Sequence, residues 1–264
     1  MTRELLLRAK QRLLQMHYES GVGHIGGNLS CLDILMTLYH EVLQAQDAFV
    51  LSKGHAAGAV YITLWSLGAL SDGDLRLFHK DGTRLSGHPP LLGIPEILFA
   101  TGSLGHGLSL SCGLALAKKL KEEPGRVFCL MSDGEWNEGS NWEALIFLKH
   151  HRLDNLTLIV DLNGMQGMGP TREIADLAPL AEKFRAFGIH TVEVDGHNCA
   201  SLEAALRKRE AEPVAIVAST TKGSGVSFMQ NRFEWHYLPM GEEQYRQAIQ
   251  ELSEECARNS VGPS

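Results

Sequence analysis

The chain has 264 residues, enough for one large α/β domain or two small ones. It is 44% hydrophobic and 21% charged, an ordinary globular balance, and its net charge of −7 argues against a general nucleic-acid surface. The five cysteines, Cys31, Cys112, Cys129, Cys199 and Cys256, are scattered and form no CxxC pair. They point to reduced core thiols in a cytoplasmic protein, not to a disulfide or zinc framework.

The N-terminal stretch MTRELLLRAKQRLLQMHYES has apolar residues at helical spacing with charges interleaved, which predicts a helix over 2–20. It lacks the uninterrupted apolar core of a signal peptide. No later segment is long and apolar enough to span a membrane, so a soluble, cytoplasmic chain without a membrane partner is expected. Helical periodicity returns at 30–42, 55–67 and 104–121. Short apolar runs at 126–131, 156–161, 190–194 and 214–219 then read as buried strands, separated by helical patterns at 140–151, 176–187 and 201–210. Near-continuous apolar strands alternating with helices predict an α/β fold with a doubly wound, mainly parallel sheet and helices on both faces. No linker, repeat or low-complexity stretch divides the chain, so 1–264 is expected to form one domain. A weakly apolar tail from about Glu251, ending in SVGPS, is expected to be exposed.

Histidine and glycine occur together unusually often: Gly23-His24, Gly54-His55, Gly87-His88, Gly105-His106 and Gly196-His197. Glycine lets a backbone approach a ligand, and histidine supplies a donor, an acceptor or a proton carrier near neutral pH. All five pairs fall between apolar periodic segments, which suggests a polar site fed by several loops.

One apolar run, 127–131, stops abruptly at Ser132-Asp133-Gly134, followed by Glu135 and Glu138; the next ends at Asn163 in LIVDLNGMQGMG. Strand ends of this kind in parallel sheets are where ligands sit, and both would lie on one edge. An aspartate, an asparagine amide oxygen and a nearby carbonyl form an all-oxygen set suited to a hard cation such as Mg²⁺ or Ca²⁺, whose shell phosphate oxygens and water complete. Gly134 would admit a phosphate to the turn, with the start of the helix at Ser140 directed toward it. Asp-Gly and Asn-Gly are also common turns, but their occurrence at the ends of successive strands favours a metal–diphosphate site.

The span from Ser132-Asp133-Gly134 to Asn163 resembles the thiamin diphosphate motif. The wider chain resembles the N-terminal, diphosphate-binding half of the transketolase family. The blocks are SGVGHIGGNLS, LSKGHAAGAVY, SGHPP, TGSLGHGLSLSCGLALA, SDGEWNEGSNWEAL, VDLNGMQGMG and TTKGSGVSFMQNRFEWH, in the family's order. The resemblance implies the thiamin diphosphate-binding fold and the cofactors thiamin diphosphate and Mg²⁺, with Ca²⁺ or Mn²⁺ able to substitute. It implies Asp133, Asn163 and the carbonyl of Met165 as metal ligands. His55, His236 and Lys222 would reach the diphosphate, with Gly134 and Glu135 in the same cofactor motif and Gly102, Ser103 and Leu104 beneath the cofactor rings. His24 and His88 would contact the sugar and move protons near the reacting carbon. Glu138 would act across the interface, linked to the glutamate that activates the cofactor. Gly167 and Gly169 would let the following loop close.

Other prominent residues read more plainly. His79, His150 and His151 match no block and are expected at the surface, and Trp136 and Trp142 are expected to pack at an interface. Ser132 stands where the motif has its first glycine, Leu162 precedes a single asparagine in place of a pair, and His106 stands where many relatives have glutamine.

The resemblance ends near Met240. It does not extend to the family's pyrimidine-binding domain, which carries the activating glutamate, and no acid in this sequence fits that role. The expectation is therefore a two-chain enzyme, inactive without a separate pyrimidine-binding partner and assembled as α2β2. It would transfer a two-carbon ketol unit from a ketose phosphate or related ketose to an aldehyde. Two alternatives remain open. One is the α subunit of another thiamin diphosphate enzyme, of the 2-oxo acid dehydrogenase or deoxyxylulose-phosphate-synthase type; the other is a non-catalytic cofactor-binding fragment. Retention of His24 and His88 argues against a small oxo acid substrate.

Overall fold

Five strands carry the fold: β1 (Ala48–Leu51), β2 (Val127–Ser132), β3 (Leu156–Leu162), β4 (His190–Asp195) and β5 (Val214–Ser219). They form one sheet in the order β1-β2-β3-β5-β4, with every neighbouring pair parallel. The structure is a computed structural model and describes residues 1–260. Four strands coincide with the apolar runs to within a residue or so. The AFVL run of β1 was not anticipated, because four residues are too few to display a strand pattern. β2 and β3 lie in the middle of the sheet and are apolar almost throughout. β4, at the edge, is HTVEVD and only partly covered.

The helices are α1 (Arg3–Ser20), α2 (Ile25–Thr37), α3 (Ala57–Ser66), α4 (Asp72–Leu75), α5 (Gly107–Leu120), α6 (Gly139–His150), α7 (Thr171–Ile174), α8 (Leu180–Ala186), α9 (Cys199–Arg207) and α10 (Glu242–Ser260). The sheet separates two apolar cores. Phe128, Leu130 and Ile159 point into one, with α1, α2, α3 and α9; their neighbours Val127, Cys129, Met131, Leu158 and Val160 point into the other, with α5, α6 and α8. Strand side chains alternate between faces, so helices on both sides require strands that are apolar at every position. The α/β, doubly wound class is therefore as expected.

Local chemistry sets the helix ends. Thr2 caps α1 by accepting from the Leu5 amide at 3.2 Å, and Gly21, at φ 65°, closes it. α2 starts earlier than its periodicity suggests. Every residue in it is buried, so it has no polar face to betray its start.

Two regions differ in detail from the expectation. From Glu251 the chain continues as helix α10 to Ser260, with Leu252 buried and Ser253 and Glu254 exposed; 261–264 lie outside the described residues. Trp136 does not wait at an interface, while Trp142 stays partly exposed. Trp136 is fully buried, and the two rings pack with Phe184 in the second core. Cys31, Cys112, Cys129 and Cys199 are free thiols, as expected, while the side chain of Cys256 lies outside the described residues. No helix among the described residues is long and apolar enough to cross a membrane.

Candidate functional site

The C-terminal ends of β1, β2, β3 and β5 share one edge of the sheet, and the loops leaving them enclose a cavity of about 360 Å³. His24, His55, His88, Asn163, Lys222 and His236 are among the residues that line it. Four histidines from distant parts of the sequence meet there. His24 stands 5.9 Å from His55, 5.5 Å from His88 and 5.1 Å from His236, centroid to centroid, and His55 stands 5.2 Å from His236. Buried Asn28 fastens two of their loops together. Its amide donates to the carbonyls of His24 (2.8 Å) and His55 (3.1 Å), while its Oδ1 accepts from the Ala59 amide at 2.6 Å.

Burial sets the protonation of this cluster. It lowers His24 to about 4, helped by His88, and His236 to about 3, helped by Lys222. His55 is held well below the usual imidazole range, again chiefly by burial. These rings are neutral near pH 7, each offering one donor and one acceptor. Lys222 is only 2% exposed. Its amine donates to the Gln166 carbonyl at 3.2 Å and lies 3.3 Å from His236 Nδ1, and neither partner carries negative charge. Burial first, and the charge of Lys53 second, lower it to about 8.

Asp133 and Asn163 emerge side by side, because the β2–β3 register pairs Ser132 with Asp161. Asp133 is 3% exposed. Its Oδ2 accepts from the Gly164 amide (3.0 Å) and the Thr171 hydroxyl (2.9 Å), but its Oδ1 is buried without a hydrogen-bond partner. Burial accordingly raises this carboxyl to about 6. A bare, buried carboxylate oxygen beside an asparagine and a main-chain loop fits a hard cation. Among the described residues no three His, Cys, Asp and Glu side chains group as a metal site, so a cation here would need amide and main-chain oxygens beside Asp133.

Beneath Asn163 lies a charge pair that sequence reasoning missed. Lys53 Nζ and Asp161 Oδ2 are 2.5 Å apart, both fully buried. Lys53 also donates to the Gly27 carbonyl at 3.0 Å, and Asp161 accepts from the hydroxyls of Ser30 and Thr220. Both residues stand inside motif blocks, but nothing in the sequence distinguishes them from exposed charges.

Other expected residues divide. Glu135 lines the cavity wall, yet its carboxylate is taken by the Ser52 hydroxyl and the amides of Gly105 (3.0 Å) and Ser132 (3.2 Å), so it braces the 102–107 loop. Gly134 has a neighbour already in place: a Cβ there would come 2.7 Å from Gln166 Cγ. Ser132 closes β2 in extended conformation and needs no glycine freedom. Gly102, Leu104, Glu138, Met165 and Gly167 line the cavity, while Ser103 and Gly169 are on its loops without lining it. Glu138 is exposed at the start of α6. Exposed His79 lies against Gly87, behind His88, and His150 and His151 are exposed as expected. Of the five Gly-His pairs, His24, His55 and His88 reach the cavity; His106 is exposed at the start of α5, and His197 turns to Asp33. Gln166, Met168 and Tyr237 complete the wall without having been anticipated. A larger groove of about 540 Å³, lined by Arg12, Asp72 and Tyr245 among others, shares none of these residues.

Residues 9–260 match the family described as "Transketolase, thiamine diphosphate binding domain". The chain belongs to this transketolase family. It is 37% identical over 257 residues to an apulose-4-phosphate transketolase subunit of Phocaeicola vulgatus, covering 93% of this chain and 91% of the relative. It is 36% identical over 249 residues to a 6-deoxy-6-sulfo-D-fructose transketolase subunit of a Clostridium species, covering 90% of each. Human transketolase is 35% identical over 254 residues, which cover 90% of this chain and 40% of the human protein. The crystal structure of Campylobacter jejuni transketolase superposes with a TM-score of 0.85 at 26% identity, over 96% of this chain and 43% of that one. The chain thus spans less than half of these longer transketolases and nearly all of the subunits.

Proposed function

We propose that this chain is the diphosphate- and Mg²⁺-binding subunit of a two-chain transketolase, passing a two-carbon ketol unit from a ketose to an aldehyde acceptor. The observation that carries the reading is its end-to-end match to relatives named as transketolase subunits. The whole chain would act as one thiamin diphosphate-binding domain in the cytoplasm. A separate pyrimidine-binding subunit would supply the activating glutamate, in an α2β2 assembly. An apolar rim at the cavity mouth supports such a cover, with Met168 74% and Tyr237 60% exposed.

The bare Oδ1 of Asp133, the amide oxygen of Asn163 and the carbonyl of Met165 would hold the metal. Lys222, His55 and His236 would hold the diphosphate. Bound thiamin diphosphate supplies a nucleophilic carbon and an electron sink for carbon–carbon cleavage. The residues of this chain orient it and handle protons. His24 and His88, neutral and beside each other, would donate to and accept from the hydroxyls and carbonyl oxygen of the sugar as charge develops. Exposed Glu138 would meet the partner's acid across the interface. The relatives' names support a ketose phosphate or a modified ketose as donor.

The test is to recover the chain that co-purifies with this one and to assay the pair with ketose donors and with pyruvate. Ketose consumption by the pair, with none by either chain alone, is expected. Ketol transfer by this chain alone would overturn the two-chain reading, and preference for pyruvate would overturn the substrate class.

A further inference from the structure

Gly196-His197 belongs by composition with the histidine-bearing loops, yet His197 does not line the cavity. It does something else. Its Nε2 accepts from the backbone amide of Thr221 at 2.9 Å, and its Nδ1 lies 2.8 Å from Asp33 Oδ2. A ring nitrogen that accepts from an amide carries no proton, so the proton sits on Nδ1 and is donated to Asp33. Asp33 is 1% exposed, on α2, and its Oδ2 also pairs with Lys10 Nζ at 3.1 Å. The His197 amide is itself held by Asp195 Oδ1 at 2.8 Å. An acid, a ring and an amide thus run in line from α2 to the loop that leaves β5.

The residue after Thr221 is Lys222, whose buried amine lines the cavity. Its neighbours in the loop are fixed as well: Thr220 through its hydroxyl to Asp161, and Gly223 through its amide to the Gly26 carbonyl at 2.9 Å. The Thr221 amide is the attachment closest to Lys222 on its N-terminal side, and it is the His197 ring that receives it. A lysine has a long flexible stem, so the point from which its backbone launches it decides where the amine stands.

We infer that Asp33 and His197 are positioning residues that hold the Thr221 amide and thereby fix the place of the Lys222 amine in the cavity. This rests on the reading that Lys222 contacts the diphosphate. Neither residue touches the cofactor; both act through the loop.

Two substitutions separate the two ends of the ring. In His197→Gln, the side-chain oxygen stands where Nε2 stood and still receives the Thr221 amide. In His197→Asn, the amide nitrogen stands where Nδ1 stood, so the Asp33 bond is kept and Thr221 is released. Thiamin diphosphate is titrated calorimetrically, with Mg²⁺ present, into the assembly of this chain and its co-purifying partner. Lys222→Met is expected to weaken binding about tenfold, the scale of one hydrogen bond to a charged group. His197→Asn should lose a similar factor, and His197→Gln should stay within about threefold of wild type. Combining His197→Asn with Lys222→Met should cost nothing beyond Lys222→Met alone, since both remove one interaction. If His197→Asn does not assemble, His197→Ala takes its place in the cycle, because it also releases the Thr221 amide. Losses that multiply in the double variant, or equal losses for Gln and Asn, would overturn the inference while leaving the Lys222 assignment intact. Wild-type binding by Lys222→Met would overturn that assignment and the inference together.

Discussion

Lys53 and Asp161 form a fully buried ion pair, 2.5 Å apart, directly under the edge of the sheet where Asn163 emerges. Each charge is also hydrogen-bonded, Lys53 to the Gly27 carbonyl and Asp161 to the hydroxyls of Ser30 and Thr220. The pair therefore links α2, the β1 loop, β3 and the β5 loop at one point. Breaking it from one side leaves a charge stranded in the interior. Lys53→Met is expected to destabilise the chain by about 3–5 kcal/mol, measured by denaturant unfolding at pH 7. A loss under about 1 kcal/mol would mean that this network does not anchor the edge.

Asp133 presents the opposite case, a buried carboxylate with one oxygen unsatisfied. Asp133→Asn removes the charge and keeps an oxygen for Gly164 and Thr171. The variant without ligands should melt no lower than wild type. It should lose the rise in melting temperature that Mg²⁺ and thiamin diphosphate give the wild-type assembly. A retained rise would move the metal elsewhere.

The histidines should separate by kinetics. His55→Ala and His236→Ala are expected to raise the cofactor concentration needed for activity, with turnover partly restored at saturation. His24→Ala and His88→Ala should lower turnover by about 10²–10⁴-fold even at saturating cofactor, as loss of a proton-transfer group does. Rescue of His88→Ala by cofactor, or failure to rescue His55→Ala, would reverse the assignment of these loops.

Acid should destabilise the fold through His17. This ring is shielded from solvent, lies against Phe78, and is lowered by burial from 6.5 to about 4. A base with a depressed folded pKa favours the folded state in its neutral form. Its contribution is therefore complete above the unfolded value of 6.5 and is lost as pH falls toward 4. The difference amounts to about 3 kcal/mol. Between pH 6.5 and 4 the unfolding free energy of wild type should fall further than that of His17→Met, by about that amount; parallel curves would remove His17 from the acid response.

Lys222 supplies a test at the alkaline end. Its amine titrates near 8 in the free chain, and a diphosphate beside it would raise that value. Cofactor binding at pH 8 should therefore take up a fraction of a proton, seen as a dependence of the binding enthalpy on the buffer's ionisation enthalpy. Lys222→Met should abolish that uptake, and an unchanged uptake would assign the proton to another group.

The sheet was legible because strands covered on both faces must be apolar at nearly every position, and the runs at β2, β3 and β5 are. The placement of the candidate site was legible because Asp133 and Asn163 close successive parallel strands, which fixes them to one edge whatever the helices do. The direction of each side chain was not fixed in this way. Glu135 reads as another acid facing a ligand, but it is turned inward by the nearby Ser132 amide together with the Gly105 amide and the Ser52 hydroxyl, which only the folded 102–107 loop and the turn after β1 bring to it. Trp136 reads as a surface aromatic until Phe184 of α8 is packed on it. Lys53 and Asp161 stand far apart in sequence and look like ordinary charges until parallel pairing sets β1, β2 and β3 side by side. Periodicity along the chain records which face a residue is on. Whether a polar group there turns to solvent, to a ligand or to a buried partner depends on donors and charges supplied by other strands and loops, and only the tertiary structure assembles those.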